Sequence, residues 1–401
     1  MKYLIIGAGP AGLTFANKIK ETGENDFLVL EAEEEAGGLC RSTIVDGAPF
    51  DIGGGHFLDV RRQDVNEFLF QFMPEDEWDK YERDSRISLK DEMISHPLEA
   101  NIWQMKEEQQ IAYLKSIAVA GCNLDASKPN LFVDWIYWKL GKKIAEDYMI
   151  PYNKKMFGEE LNHLGTYWLE KLPNVSFEET LRSCLSKRPF GTQPGHAQFY
   201  YPKKYGYGEL WLRMAEAIKG NMEYKKRVNT IDFAQKTLMT TDGSIYHADV
   251  IVTTIPWMEY DDIKGAPDNI KQLIGQLKYT SVQTEYIPKN IETEAHWIYY
   301  PAPELPYHRI LVRHNFCKGS RGYWTETNVE RVVRHSEKDS FVYLNKYAYP
   351  LNTISKPEIM KQLLEFGESC KVYGLGRWGE HQHYNSDVTV ARAMEMAERL
   401  R

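Results

Sequence analysis

An apolar run, a glycine turn and a helix-like stretch open this chain, and they limit its fold more than any other feature. Tyr3-Leu4-Ile5-Ile6 is a short apolar run, and Gly7-Ala8-Gly9-Pro10-Ala11-Gly12 follows it and fits G-x-G-x-x-G. Ala11 to Ile19 then carries apolar residues at helical spacing. Phe27 to Leu30 is a second apolar run, and it ends on the acidic Glu31. A lone glycine triplet occurs in many α/β turns. In this setting each part has a physical task. Gly7 permits the tight turn, Gly9 lets a diphosphate approach the backbone, and Gly12 allows close packing of helix on strand. The diphosphate would rest on the helix N-terminus, against Pro10 and Ala11. Glu31 would accept the ribose hydroxyls. The expectation is a dinucleotide-binding βαβ unit.

With 401 residues there is enough chain for two or three packed layers. No stretch approaches the roughly eighteen apolar residues of a membrane-crossing helix. The N-terminus lacks the long apolar core and small-residue cleavage site of a signal peptide, so it reads as a strand. The net charge of −8 argues against broad nucleic-acid binding, but leaves room for a local anion site. The five cysteines, Cys40, Cys122, Cys184, Cys317 and Cys370, show no metal-ligand spacing, and reduced thiols in the cytoplasm are the simplest expectation. No metal site is expected. With 25 Tyr and 10 Trp, the chain suits a pocket that stacks rings and hydrogen-bonds hydroxyls.

The first sixty residues alternate strand, glycine turn, helix and strand, the pattern of a parallel sheet. Residues 61–204 read as a mostly helical lobe, from the periodicity of Val65–Phe72, Gln104–Ala120, Asn130–Tyr148 and Phe177–Leu185. Strand patterns return around Met222–Ile231 and Tyr246–Thr254, with Asp242-Gly243 as a hairpin turn. Residues 261–369 read as an antiparallel-sheet substrate domain, rich in Tyr, Trp, Val and Thr over 279–350. The tail from Val372 reads strand, glycine loop and helix. The fold class is therefore α/β: a Rossmann-like domain assembled from 1–60, 205–260 and 370–401, an inserted helical lobe, and an antiparallel β-sheet substrate domain.

A second glycine loop, Glu35-Ala36-Gly37-Gly38-Leu39-Cys40-Arg41-Ser42, lies just past Glu31, and Phe50-Asp51-Ile52-Gly53-Gly54-Gly55-His56 follows. The order G-x-G-x-x-G, E, G-G-L-x-R, D-x-G-G-x-H resembles the flavoprotein superfamily of amine oxidases, protoporphyrinogen oxidase, phytoene desaturase and UDP-galactopyranose mutase. The resemblance implies FAD. It implies that Gly38, Leu39 and Arg41 contact the diphosphate and that His56 approaches the flavin ring.

The tail Gly374-Leu375-Gly376-Arg377-Trp378-Gly379-Glu380, followed by His383-Tyr384-Asn385-Ser386-Asp387, resembles the mutase's G-R-x-G-x-Y-x-Y-x-D/N-M-D/H segment. Tyr152-Asn153-Lys154-Lys155-Met156-Phe157-Gly158 with Leu169-Glu170-Lys171-Leu172-Pro173 resembles its Y-T-x-K-x-W-G and R-L-P stretches. Tyr307-His308-Arg309-Ile310 and Tyr349-Pro350 resemble its Y-x-R-I and Y-P pair. This resemblance implies a nucleotide-sugar pyranose/furanose mutase. In that family reduced flavin N5 attacks the anomeric carbon, the nucleoside diphosphate leaves, and the sugar ring opens and recloses while attached to the flavin. Arg309 would clamp the diphosphate and Tyr349 would donate to it. Gly376 and Arg377 would face FAD, Asn385 and Ser386 would present a helix end to the flavin, and the backbone of Val228 would hold adenine. NAD(P)H or another reductant would keep the flavin reduced. A homo-oligomer, a cytoplasmic location and a role in cell-surface polysaccharide biosynthesis fit the same resemblance. The departures fall on the substrate side: Lys171 stands for an arginine, His383 for a tyrosine, and Phe157 for a tryptophan. An alternative follows from them, an FAD-dependent oxidase or desaturase of the amine-oxidase type with a rebuilt pocket. A non-catalytic FAD-bound scaffold is the third reading.

Overall fold

The computed structural model describes residues 1–169, 174–191, 197–332 and 340–401. The opening unit is a parallel sheet with the strand order Met222–Glu223, Phe27–Leu30, Tyr3–Ile6, Val250–Thr253, Val372–Gly374. Its strands come from three separated stretches of chain. Tyr3–Ile6 is buried at every position, as expected of a central parallel strand covered on both faces. The first helix, Pro10–Glu21, starts with proline in its first turn, where a missing N–H costs nothing. It packs against the last helix, Ser386–Arg399.

A four-stranded sheet lies beside this unit, with Thr237–Thr240 and Ile245–His247 paired as a hairpin. The Asp242 carboxylate accepts from the Ser244 amide at 3.0 Å, and Gly243 takes φ +83°, which secures the turn.

The third sheet has seven strands, in the order Phe341–Pro350, Tyr279–Ile287, Tyr323–Asn328, Arg309–Val312, Trp297–Tyr299, Ser85–Leu89, Glu92–Ser95. It differs from the expected purely antiparallel sheet of 261–369. Trp297–Tyr299 pairs in parallel with Ser85–Leu89, and two strands come from the stretch read as mostly helical. Ser85–Leu89 buries every second residue, but its polar Ser85, Arg86 and Ser88 leave too short an apolar signal to identify from periodicity. Trp78–Glu82 and Gln198–Pro202, also within 61–204, pair with each other.

The rest of that stretch is largely helical, including Glu107–Ala118, Phe132–Ile144, Ile150–Phe157 and Phe177–Ser186. These helices enclose a core of their own that includes Ile102, Ile117, Phe132, Ile136 and Leu140. Phe157, expected near a base, is buried in this core. The last of them carries a reciprocal capping box between Ser176 and Glu179. Among the described residues no helix is long and apolar enough to cross a membrane.

Helix and strand meet so closely at the glycine turn that a Cβ on Gly12 would lie 2.0 Å from the Gly7 carbonyl oxygen. Gly12→Ala should therefore cost roughly 1–3 kcal/mol of stability in urea unfolding, through forced backbone displacement. A variant as stable as the parent would show that the turn yields freely.

Candidate functional site: a glycine-walled cavity and a neighbouring cationic cluster

The turn, the second glycine loop and the last helix converge on one cavity of about 320 Å³. That volume lies in the range of small-molecule and cofactor sites. Gly7, Gly9, Pro10, Ala11, Glu31, Gly38, Leu39, Arg41, His56, Val228, Arg377 and Ser386 all line it. Three other expected contacts stand behind the wall. Gly12 faces the Gly7 carbonyl, and a Cβ on Gly376 would sit 2.6 Å from that of Ala11, so both serve close packing. Asn385 precedes the last helix as its N-cap and is exposed.

The two glycine loops are joined by a 2.8 Å hydrogen bond from the Gly37 amide to the Ala8 carbonyl. Gly9 and Gly38 face one another, and a Cβ on Gly38 would come within 3.3 Å of the Gly9 Cα. Glu31 accepts the Ala8 amide at 2.7 Å and the Glu33 amide at 3.0 Å. Burial raises its pKa, partly offset by those two amides. Arg41 donates to the Gly38 carbonyl at 3.1 Å and to the Tyr343 hydroxyl at 2.9 Å, which ties the loop to the long edge strand.

At the other end His56 lies over Tyr207, with ring centroids 6.1 Å apart and planes 15° apart. Burial, and then the nearby Arg377, push its pKa down to about 4, so the imidazole is neutral near pH 7. Tyr207 shares a 2.7 Å hydrogen bond with Ser386 at the start of the last helix. Asp51, wholly buried, binds the Ser42 and Tyr201 hydroxyls at 2.5 and 3.1 Å and the Tyr207 amide at 3.3 Å. Burial pushes Asp51 up to about 7 against those hydrogen bonds.

Strand register aligns the remaining groups. Tyr299, Arg309, Glu326, Thr284 and Tyr343 stand directly opposite one another on successive strands, so they share one face of the seven-stranded sheet. Glu326 is buried and takes both Nε and Nη2 of Arg309, at 3.0 and 2.5 Å. It also accepts the Gly55 amide at 3.1 Å, which fixes the loop that bears His56. Burial alone would raise Glu326, yet Arg309 and His308 hold it down at about 2. Arg309 is thus a paired cation and not a bare one, and it, Tyr349 and His383 lie outside the lining of the cavity. Its pKa is raised: burial opposes the charge, and Glu326 more than offsets that.

Tyr349 and His383, distant in sequence, bring their rings to 4.8 Å. Arg377 holds them there by donating to the Ala348 carbonyl at 3.3 Å and the Tyr384 carbonyl at 2.7 and 2.9 Å. Its bonds to neutral carbonyls leave its charge available to a bound anion. Lys171 lies outside the described residues. Glu326 and Tyr299 are absent from the expectations, because no local motif surrounds them and only register places them here, while Asp51 and Tyr152 stand in motifs that assign them no role of their own.

The family model for flavin containing amine oxidoreductases matches residues 10–284, most of the chain. The chain belongs to that family. It also has the fold of UDP-galactopyranose mutase: a reduced form of that enzyme superposes with a TM-score of 0.90 over 100% of this chain and 93% of the other, at 22% identity. A putative protoporphyrinogen oxidase from Exiguobacterium sp. 255-15 superposes with a TM-score of 0.73 over 100% of this chain and 98% of its own, at 14% identity. An uncharacterized protein in the nifH2 3' region of Methanothermococcus thermolithotrophicus is 45% identical over 53 residues, or 13% of this chain. The match spans 50% of that curated relative's length.

Two changes probe this charge arrangement. Glu326→Gln leaves Arg309 without its carboxylate partner and should cost about 3–5 kcal/mol in chemical unfolding; a loss below about 1 kcal/mol would mean the pair is dispensable. Asp51 has a folded pKa above its ordinary 3.8, so its contribution is complete below that value and is lost as pH rises through about 7. Between pH 4 and 7, Asp51→Asn should therefore gain stability relative to the parent. A pH-independent difference in urea midpoints would refute this.

Proposed function

We propose that this chain is an FAD-dependent mutase that interconverts the pyranose and furanose forms of a nucleotide sugar. The observation that carries the reading is a cationic, phenol-bearing cluster next to the cavity: Arg377 and His56 line the cavity, and Arg309 and Tyr349, which do not, stand close to them. A leaving diphosphate needs such a place, whereas an amine or an apolar substrate gains nothing from two buried guanidinium groups. The mutase fold over the whole chain supports the same reading.

FAD suits the residues present. The facing Gly9 and Gly38 leave a gap that any side chain would fill, next to a helix start with no side-chain cap. Glu31 and Val228 line the cavity near that turn, and Arg377 and Ser386 line it near His56. When bound and reduced, the flavin supplies the nucleophile for the anomeric carbon. The chain's own residues do the rest. Arg309 Nη1 and the Tyr349 hydroxyl offset the charge gathering on the departing diphosphate. His56, neutral, holds the Gly54 carbonyl at 2.9 Å and keeps the loop against the ring. His383, packed on Tyr349, alters the sugar pocket relative to the mutase pattern and so bears on which sugar is taken. NAD(P)H or another donor supplies the reducing equivalents.

The family description, an oxidoreductase, and the likeness to a putative protoporphyrinogen oxidase favour a second reading, in which a substrate reduces the flavin and oxygen or another acceptor reoxidises it. One experiment separates the two. The FAD-loaded protein is reduced with dithionite without oxygen and incubated with UDP-, GDP- and dTDP-sugars, and the products are resolved by chromatography. The mutase reading expects ring-size isomers from the reduced protein and none from the oxidised one. No isomer from any donor overturns it, and bleaching of the oxidised flavin by a substrate establishes the oxidoreductase.

A further inference from the structure

We propose that Tyr299 is an obligate hydrogen-bond donor to the diphosphate of the substrate, and that Arg83 and Trp297 aim it. The inference rests on the mutase reading and adds to it a residue that no motif marks. Tyr299 stands directly across the strand pair from Arg309, so their side chains leave the same face of the sheet. Its ring meets the edge of Tyr152, with centroids 5.4 Å apart. Its oxygen receives two donors, the Trp297 indole N–H at 2.9 Å and Arg83 Nη2 at 3.3 Å. Both lone-pair directions of the phenol oxygen are thereby taken, and its own proton has to point away from both donors. Among the described residues that proton has no acceptor. Neither the Tyr152 nor the Tyr349 hydroxyl makes a hydrogen bond there either, and Arg309 Nη1 is likewise uncommitted.

Four groups with a proton to donate therefore stand close together: three phenols and one edge of a guanidinium. The phenol oxygens could also accept, but a ligand poor in acceptor atoms would leave the guanidinium edge and the Tyr299 proton unsatisfied. An anion with several oxygens, such as a diphosphate, satisfies all four. Arg83 strengthens the case. Its guanidinium lies 5.0 Å from the centre of the Trp297 ring, and its Nε donates to the Ser85 hydroxyl at 3.0 Å. It is thus held in place while it polarises the Tyr299 hydroxyl, which makes that O–H a better donor. Ordinary core packing would be served by phenylalanine at position 299. The two N–H groups aimed at its oxygen serve only a hydroxyl.

The test uses the FAD-loaded protein, titrated with UDP and with inorganic pyrophosphate, the part shared by every nucleoside diphosphate. Tyr299→Phe should weaken both on the order of tenfold, the loss of one hydrogen bond to a charged group. Flavin content should stay at the parent value, since the ring packing is kept, and the unfolding midpoint should fall only by as much as the orphaned Trp297 and Arg83 donors explain, a loss that Trp297→Phe in the same background removes. Arg83→Met should weaken binding in the parent and add nothing in the Tyr299→Phe background, because it acts through that hydroxyl. Additive losses overturn the aiming role of Arg83 and make it a ligand contact in its own right. Parent-strength binding by Tyr299→Phe overturns the inference and leaves the mutase reading standing. Failure of the parent to bind either probe overturns both.

Discussion

The close approach of backbone to backbone at the first helix is the constraint on which the rest of the molecule depends. A Cβ on Gly7 would lie 2.5 Å from the Thr254 hydroxyl, one on Gly12 2.0 Å from the Gly7 carbonyl, and one on Gly376 2.6 Å from Ala11. The first and the last of these are where the three separated pieces of the parallel-sheet domain meet, and the second sets helix on strand within the first piece. Side chains at these places would push the pieces apart and swing the helix start away from the cavity. The same economy recurs at Gly53, where a Cβ would come 1.9 Å from the Leu39 carbonyl. The loop bearing His56 is thereby pressed against the second glycine loop, and the two form one wall.

Charge is arranged around that wall with an equal lack of slack. Glu326 and Arg309 are brought together by strand pairing, and the carboxylate spends its second oxygen on the Gly55 amide. A buried pair of this kind is weak evidence for stability by itself, since desolvation offsets much of the attraction. Its effect here is geometric: it sets the height of the glycine loop above the sheet. Arg377 acts differently. It is bound by carbonyls, bridges the Ala348 and Tyr384 backbones, and so fixes the approach of Tyr349 to His383. Asp51 links Ser42, Tyr201 and Tyr207 and reaches Ser386 through the last of these. Strand pairing sets Arg309 beside Glu326 and Ser42 beside Asp51, and the side chains then tie these strands to the glycine loop and to the start of the last helix.

Much of this was legible without a structure because its signals are local. The glycine turn, the acidic residue after the second strand and the G-G-L-C-R loop each encode one backbone shape within a few residues. The Asp242-Gly243 hairpin is local in the same way. The strands of 78–95 were not legible. They are short, half-polar and set among helices, and they become strands by pairing with Trp297–Tyr299 and Gln198–Pro202, far along the chain. Phe157 is packed in the core of the helical stretch, and a motif position does not by itself reveal whether an aromatic ring faces a ligand or a core. Glu326 and Tyr299 lie in runs such as Trp324-Thr325-Glu326 and Trp297-Ile298-Tyr299, which read as ordinary β segments.

The sequence by itself determined where the glycine turn and the second glycine loop form and which of their residues wall the cavity. Those properties follow from steric limits on a few neighbouring residues, which act before the chain has folded. The tertiary structure alone decided that Arg309 is paired with Glu326, that Tyr299 stands across from Arg309, and that Tyr349 and His383 touch. The first two depend on strand register, and the third on the bridge that Arg377 makes between the Ala348 and Tyr384 carbonyls. A shift of one residue in any pairing would turn the same side chains to the opposite face of the sheet.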